Sequence, residues 1–127
     1  MIVLDTSALM ALLLAESEAD QIAEILKSGE DFMISAGTLA EALIVAGRRG
    51  LSEEMSRLFE GLDVEIETVS AAGAIAVSEA YSTWGKGIHP AGLNFGDCFS
   101  YVAAKASGSS LLYVGDDFAK TDLQSAL

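Results

Sequence analysis

Apolar positions along the chain come in short blocks whose spacing switches between strand and helix periods. Ile2-Val3-Leu4 is a buried strand of three residues, and the apolar run LMALLLA after it predicts a helix from residue 8 to about 14, capped by Ser7. Ser17 then caps a second helix through about Lys27, with Ile22, Ile25 and Leu26 on its apolar face and Gly29 as its stop. Phe32-Met33-Ile34 is another strand-length block. Ser35 starts the helix GTLAEALIVAG, and Arg48 and Arg49 place cations at its carboxyl end, where the helix dipole favours them. Ser52, followed by Glu53 and Glu54, opens a helix whose buried stripe is Met55, Leu58, Phe59 and Leu62. Val64 to Val69 alternates apolar with acidic residues, a strand with one wet side.

The second half continues the alternation. An alanine-rich helix is predicted from about Ser70 to Thr83. The loop WGKGIHPAGLNFG holds the chain's only proline and only histidine, and a helix from about Asn94 to Lys105 follows. The last strand is Leu111 to Val114, ending at Gly115-Asp116-Asp117. Strands alternating with helices imply a three-layer α/β/α fold around a mainly parallel sheet of four or five strands. At 127 residues the expectation is a single domain, residues 1–127, with no repeat or linker.

Charge narrows the function. Nineteen acidic residues against seven Lys and Arg leave a net charge of -12, an unfavourable balance for binding phosphate unless cations offset it. The same balance suits a basic protein partner. No apolar run reaches the roughly 20 residues of a spanning helix. No basic residue precedes the first apolar run, and Asp5 stands where a secretory signal would carry its positive region, so the chain reads as cytoplasmic. The single cysteine, Cys98, has no disulfide partner within the chain.

Most of the acids sit in first turns, caps or the wet side of a strand, but four places call for more. Asp5 follows the first strand directly, between two apolar segments, at the end of a parallel strand where ligands bind in open α/β sheets; a helix cap is the plain alternative. Glu41 lies in a helix apolar nearly all round, where the alternative is a narrow polar edge. Asp97 is in the first turn of a mostly apolar helix, a position the dipole also favours. Asp116 and Asp117 end the last strand, where a turn is a sufficient local explanation. Gathered at one sheet edge, such carboxylates would repel each other unless a hard divalent cation sat among them, so together they read as a metal site.

In order along the chain, IVLDTSAL, TLAE, NFGDCFSYVAAK and GDDFAKTD resemble a PIN domain, and especially the VapC-type toxins of bacterial VapBC toxin-antitoxin modules. The loop stretch YSTWGKGIHPAGLN is similar to one subgroup of them. The resemblance implies an endoribonuclease dependent on Mg²⁺ or Mn²⁺, a toxin that cleaves tRNA or rRNA and is blocked by a basic VapB-type antitoxin. It also implies a homodimer, which can enter a larger toxin-antitoxin assembly. It matches Asp5, Glu41 and Asp97 to the family's first three acids, with Asp5 and Asp97 as the principal metal ligands. Many PIN domains carry T-x-D or T-x-N at the fourth place, whereas this chain has Gly115 before Asp116 and a second acid directly after; Asp116 is taken as the fourth acid and Asp117 as its alternate. Thr6 and Ser7 fit the role of orienting a carboxylate. Arg48, Arg49, Lys86 and His89, with Lys105 and Lys120 nearer the end, are the candidate RNA contacts.

Other chemistries fit less well. One Cys and one His cannot form a structural zinc site, the glycine loop lacks Walker spacing, and no G-x-S-x-G motif accompanies His89. A phosphatase with Asp5 as nucleophile would be expected to carry a second Asp two residues on, where this chain has Ser7. A noncatalytic acidic interaction module would not need acids at all four places.

Overall fold

A computed structural model describes all of residues 1–127. Four parallel strands, β1 (Ile2–Leu4), β2 (Phe32–Ser35), β3 (Val64–Glu67) and β4 (Ser110–Leu112), form one sheet in the order β3-β2-β1-β4. Six helices accompany them: α1 (Thr6–Leu13), α2 (Ala19–Leu26), α3 (Ala36–Arg48), α4 (Ser52–Gly61), α5 (Ala71–Trp84) and α6 (Phe95–Ser107). A 3₁₀ turn, Phe118–Lys120, follows β4.

Side chains alternate across the strands, and each face has its own core. Val3, Met33 and Leu111 point to one side and pack with Val77 and Ala80 of α5 and Tyr101, Ala103 and Ala104 of α6. Leu4, Phe32, Ile34 and Leu112 point to the other, against Leu9 of α1, Ile22 of α2, Ala42 and Ala46 of α3 and Met55 of α4. β1, β2 and β4 are apolar in most positions because both faces are covered there, whereas the edge strand β3, Val-Glu-Ile-Glu, is largely exposed.

β1 is central, with β2 on one side and β4 on the other. The chain therefore winds outward through β2 and β3, then crosses back to place β4 against the free edge of β1. At such a reversal the chain leaves β1 and β4 in different directions and a crevice opens at the carboxyl ends of the strands. Asp5 lies at the mouth of this crevice.

Several boundaries differ from the sequence reading. Asp5, not Ser7, caps α1, accepting from the Ser7 backbone N–H. Helix α2 starts after Glu18 without a side-chain cap, so Ser17 does not act as its N-cap, while α4 begins at Ser52 as expected. Strand β4 ends at Leu112; Tyr113 and Val114 lie beyond it because the Val114 N–H turns to the Ser7 hydroxyl instead of a neighbouring strand. No helix is long and apolar enough to cross a membrane.

Candidate active site

Asp5 is only 3% exposed and makes no ion pair; the four ion pairs of the chain all lie elsewhere. Hydroxyls and one amide take the place of a cation. Asp5 Oδ2 accepts from the Ser7 backbone N–H at 3.0 Å and from Ser7 Oγ at 2.6 Å. Asp5 Oδ1 accepts from Ser100 Oγ at 2.6 Å. These bonds meet the cost of burying the carboxylate and fix its rotation, while Oδ1 keeps a lone pair free. Ser100 is itself buried and lies 3.0 Å from Thr38 Oγ1, so Asp5 is tied to α6 and through it to α3. Thr6 does not reach a carboxylate; its hydroxyl donates to the Thr38 carbonyl at 3.4 Å.

Asp97 sits in the first turn of α6, which starts at the carboxyl edge of the sheet because helices run back against parallel strands. Asn94 caps this helix: Asn94 Oδ1 accepts from the Asp97 N–H at 2.9 Å, and Asp97 Oδ2 accepts from the Asn94 N–H at 3.0 Å. Despite that amide, the Asp97 carboxyl is pushed up to about 6. Burial is the main cause, and the charges of Asp5, Asp117 and Glu41 add to it. Half-buried Asp97 thus marks where the carboxylates of four elements converge.

Glu41 reaches this point because residue 96 is glycine. A Cβ there would overlap the Glu41 carboxylate, so Glu41 lies across the start of α6 with no side chain intervening. One turn earlier on α3, Gly37 leaves room for the Phe99 ring in the same way.

At the end of β4 the structure separates the two adjacent acids. Asp117 adds its charge to the repulsion on Asp97, whereas Asp116 lines a different recess with Glu18, Gln21 and Tyr113. Gly115, at φ +103°, makes the turn that sends them to different places. Asp117, the alternate of the sequence reading, is thus the one of the two whose charge acts on Asp97.

The cationic candidates disperse. Arg48 and Arg49 are exposed at the far end of α3, about 10 Å along the helix axis from Glu41. Lys105 is paired with Asp122 at 2.7 Å, two turns beyond Asp97. His89 belongs to its own loop: Nδ1 accepts from the Ala91 N–H at 3.0 Å, and the ring meets Trp84 edge-on at 4.7 Å. Lys86 alone is carried beside Asn94 and Phe95 at the start of α6. Cys98 is fully buried and its thiol is pushed up to about 11 by burial and the charge of Asp97, so it is no nucleophile.

The PIN domain family matches residues 2–123. The chain belongs to this family. Ribonuclease VapC30 of Mycobacterium tuberculosis is 41% identical over 124 residues, covering 95% of each chain, and Ribonuclease VapC42 of the same species is 36% identical over 128 residues, covering 98% of each. Among solved structures, Mycobacterium tuberculosis VapC20, described as a Sarcin-Ricin loop cleaving toxin, superposes with a TM-score of 0.76 at 19% identity over 97% of this chain and 96% of that one. VapBC2 of Rickettsia felis, solved on a DNA fragment from its promoter, gives a TM-score of 0.70 at 17% identity over 98% and 97%. This is a PIN domain of the VapC type, with the four-stranded parallel sheet and flanking helices of that fold.

The acids of this PIN domain are near enough to repel one another, yet no three acidic, His or Cys side chains close tightly enough to enclose an ion by themselves. The donor set still fits a hard divalent cation: all four side chains offer carboxylate oxygens, and Mg²⁺ commonly keeps several waters between itself and its protein ligands.

Sequence reasoning missed Ser100, Thr38 and Gly96. Ser100 is one helical turn from Asp97, and Thr38 is three residues before Glu41, so each shares a helix face with a suspected acid.

Proposed function

We propose that the chain is a metal-dependent endoribonuclease, the toxin of a VapBC-type pair, using Mg²⁺ or Mn²⁺ held by Asp5 and Asp97 and completed by Glu41 and Asp117. The observation that carries this reading is the convergence of four acids, without a protein cation among them, at the carboxyl edge of a parallel sheet. The names of the relatives, ribonucleases at 36 to 41% identity, support the reaction class.

When bound, the divalent ion supplies Lewis acidity toward the scissile phosphate and acidifies water for attack near neutral pH. The chain's own residues set the stage for it. Ser7 and Ser100 hold the Asp5 carboxylate in one rotation, so that it costs little to organise during turnover. Asp97, raised to about 6 in the cation-free fold by burial and its acidic neighbours, offers a full negative charge once ionised. Glu41 and Asp117 hold further negative charge on the opposite elements. Lys86, the one lysine carried to the start of α6, attracts the RNA backbone.

The partner is a basic VapB-type antitoxin, favoured by the net charge of -12. The solved relatives include a toxin-antitoxin complex from Klebsiella pneumoniae. A homodimer in the cytoplasm, cutting tRNA or rRNA, completes the proposal.

Purified protein should cleave RNA with Mg²⁺ or Mn²⁺ and stop in EDTA. Asp97→Asn, which keeps the hydrogen bond from Asn94, should reduce cleavage at least about a hundredfold while leaving the circular dichroism spectrum intact. Cleavage that survives both treatments would overturn the proposal.

A further inference from the structure

Beside the acids, α5 and the start of α6 enclose an open groove of about 540 Å³ whose lining includes Tyr81, Lys86, Asn94 and Phe95 over the buried Cys98. The volume suits a small aromatic ligand. Phe95 is 70% exposed and Tyr81 39% exposed, large rings left in water. Both are held in place. The Phe95 ring meets Phe99 edge-on, with centroids 5.0 Å apart. Tyr81 is backed by Gly85, whose N–H donates to the Tyr81 carbonyl at 2.8 Å and whose missing Cβ leaves room for that residue. The loop carrying Lys86 is pinned at its base, Lys86 N–H to Leu93 carbonyl at 2.9 Å and Leu93 N–H to Trp84 carbonyl at 3.0 Å.

Charge selects the occupant. Acids outnumber bases 19 to 7 in the chain, yet the only charged residue lining this groove is a lysine. A concave site with two exposed rings and one cation, two residues from Asp97, matches the recognition of an unpaired nucleotide: a base on the aromatic faces and a phosphate on the ammonium. We propose that the groove is the stacking platform for one unpaired nucleobase of the RNA, with Tyr81 and Phe95 as its walls and Lys86 on the adjoining phosphate. The inference rests on the ribonuclease reading and adds to it the surface that would hold the base next to the cleaved bond. Tyr81 and Phe95 act on substrate position, and the four acids carry the chemistry.

The test uses the cleavage-deficient Asp97→Asn protein in Mg²⁺ and a short single-stranded oligoribonucleotide of mixed sequence containing 2-aminopurine, whose fluorescence is quenched on stacking. Binding should quench it. Adding Phe95→Ala or Tyr81→Ala should remove most of the quench and weaken binding roughly 5- to 150-fold, whereas Phe95→Trp should keep both. In the otherwise native chain, Phe95→Ala should raise KM for RNA cleavage more than it lowers kcat. If the oligonucleotide binds with its quench unchanged by Phe95→Ala and Tyr81→Ala, or if Phe95→Leu behaves as native, the platform is overturned and the groove belongs to apolar packing against a protein partner. Failure of the native chain to cut any RNA would instead overturn the ribonuclease reading, a result the cleavage assay registers separately.

Discussion

Gly96 shows how a residue with no side chain can shape a candidate active site. It sits in the first turn of α6, where alanine has the better helix propensity by about 1 kcal/mol, and the atoms a methyl group would meet are the mobile end of Glu41. Stability and activity should therefore part company. Gly96→Ala is expected to leave the melting temperature unchanged or slightly higher, while displacing the Glu41 carboxylate and cutting RNA cleavage roughly 10- to 100-fold, as judged by thermal melts and initial rates on the same preparation. Equal activity in the variant would mean that Glu41 is not needed where it now lies. Ser100 illustrates a different dependence. Its hydroxyl is the one contact on Asp5 Oδ1, and it comes from ninety-five positions away.

At the level of elements, α6 supplies more of the site than any other. Its cap aims Asp97, its second turn provides Ser100, and its start borders the aromatic groove. Asn94→Ala removes the side-chain half of the cap and should cost about 1 kcal/mol in urea unfolding. It should also slow cleavage, because the Asp97 N–H loses its acceptor, Asn94 Oδ1, and the turn that aims the Asp97 carboxylate is held only by the remaining bond from the Asn94 N–H. The element order was legible in the sequence, since every strand and helix is a block of one apolar period bounded by polar residues. Asp5, Glu41 and Asp97 were legible because burial makes a carboxylate conspicuous among apolar neighbours. The choice between Asp116 and Asp117 was not legible, because it depends on a positive φ at Gly115 and on where β4 lets go of the sheet. The helix start at Ser52 read correctly, but the caps at Ser7 and Ser17 did not. A serine before an apolar run caps well in isolation, but Asp5 starts the helix two residues earlier by accepting from the Ser7 N–H. The contacts of His89 with Trp84 and of Lys105 with Asp122 were not legible either, because their partners come from other segments of the chain.

Taken whole, the molecule is strongly anionic and concentrates part of that charge at one edge, so it should respond to cations as a stability matter as well as a catalytic one. In the unfolded chain Asp97 titrates near 3.8 and in the cation-free fold near 6. The folded protein thus holds the extra proton between those values, and stability falls as pH rises through that window. In EDTA, Asp97→Asn should melt above the parent at about pH 7.5 and level with it below about pH 4. Saturating Mg²⁺ should raise the parent's melting temperature, by an amount corresponding to about 2.7 kcal/mol at a hundredfold excess over Kd, and should raise that of Asp97→Asn much less. The reverse order would place the ion elsewhere. The sheet order carries one more implication, for the timing of synthesis. Asp5 leaves the ribosome ninety-five residues ahead of Ser100, and Ser7 leaves it 107 residues ahead of the Val114 amide that anchors it. A nascent chain therefore cannot assemble its acids until α6 and β4 have been translated.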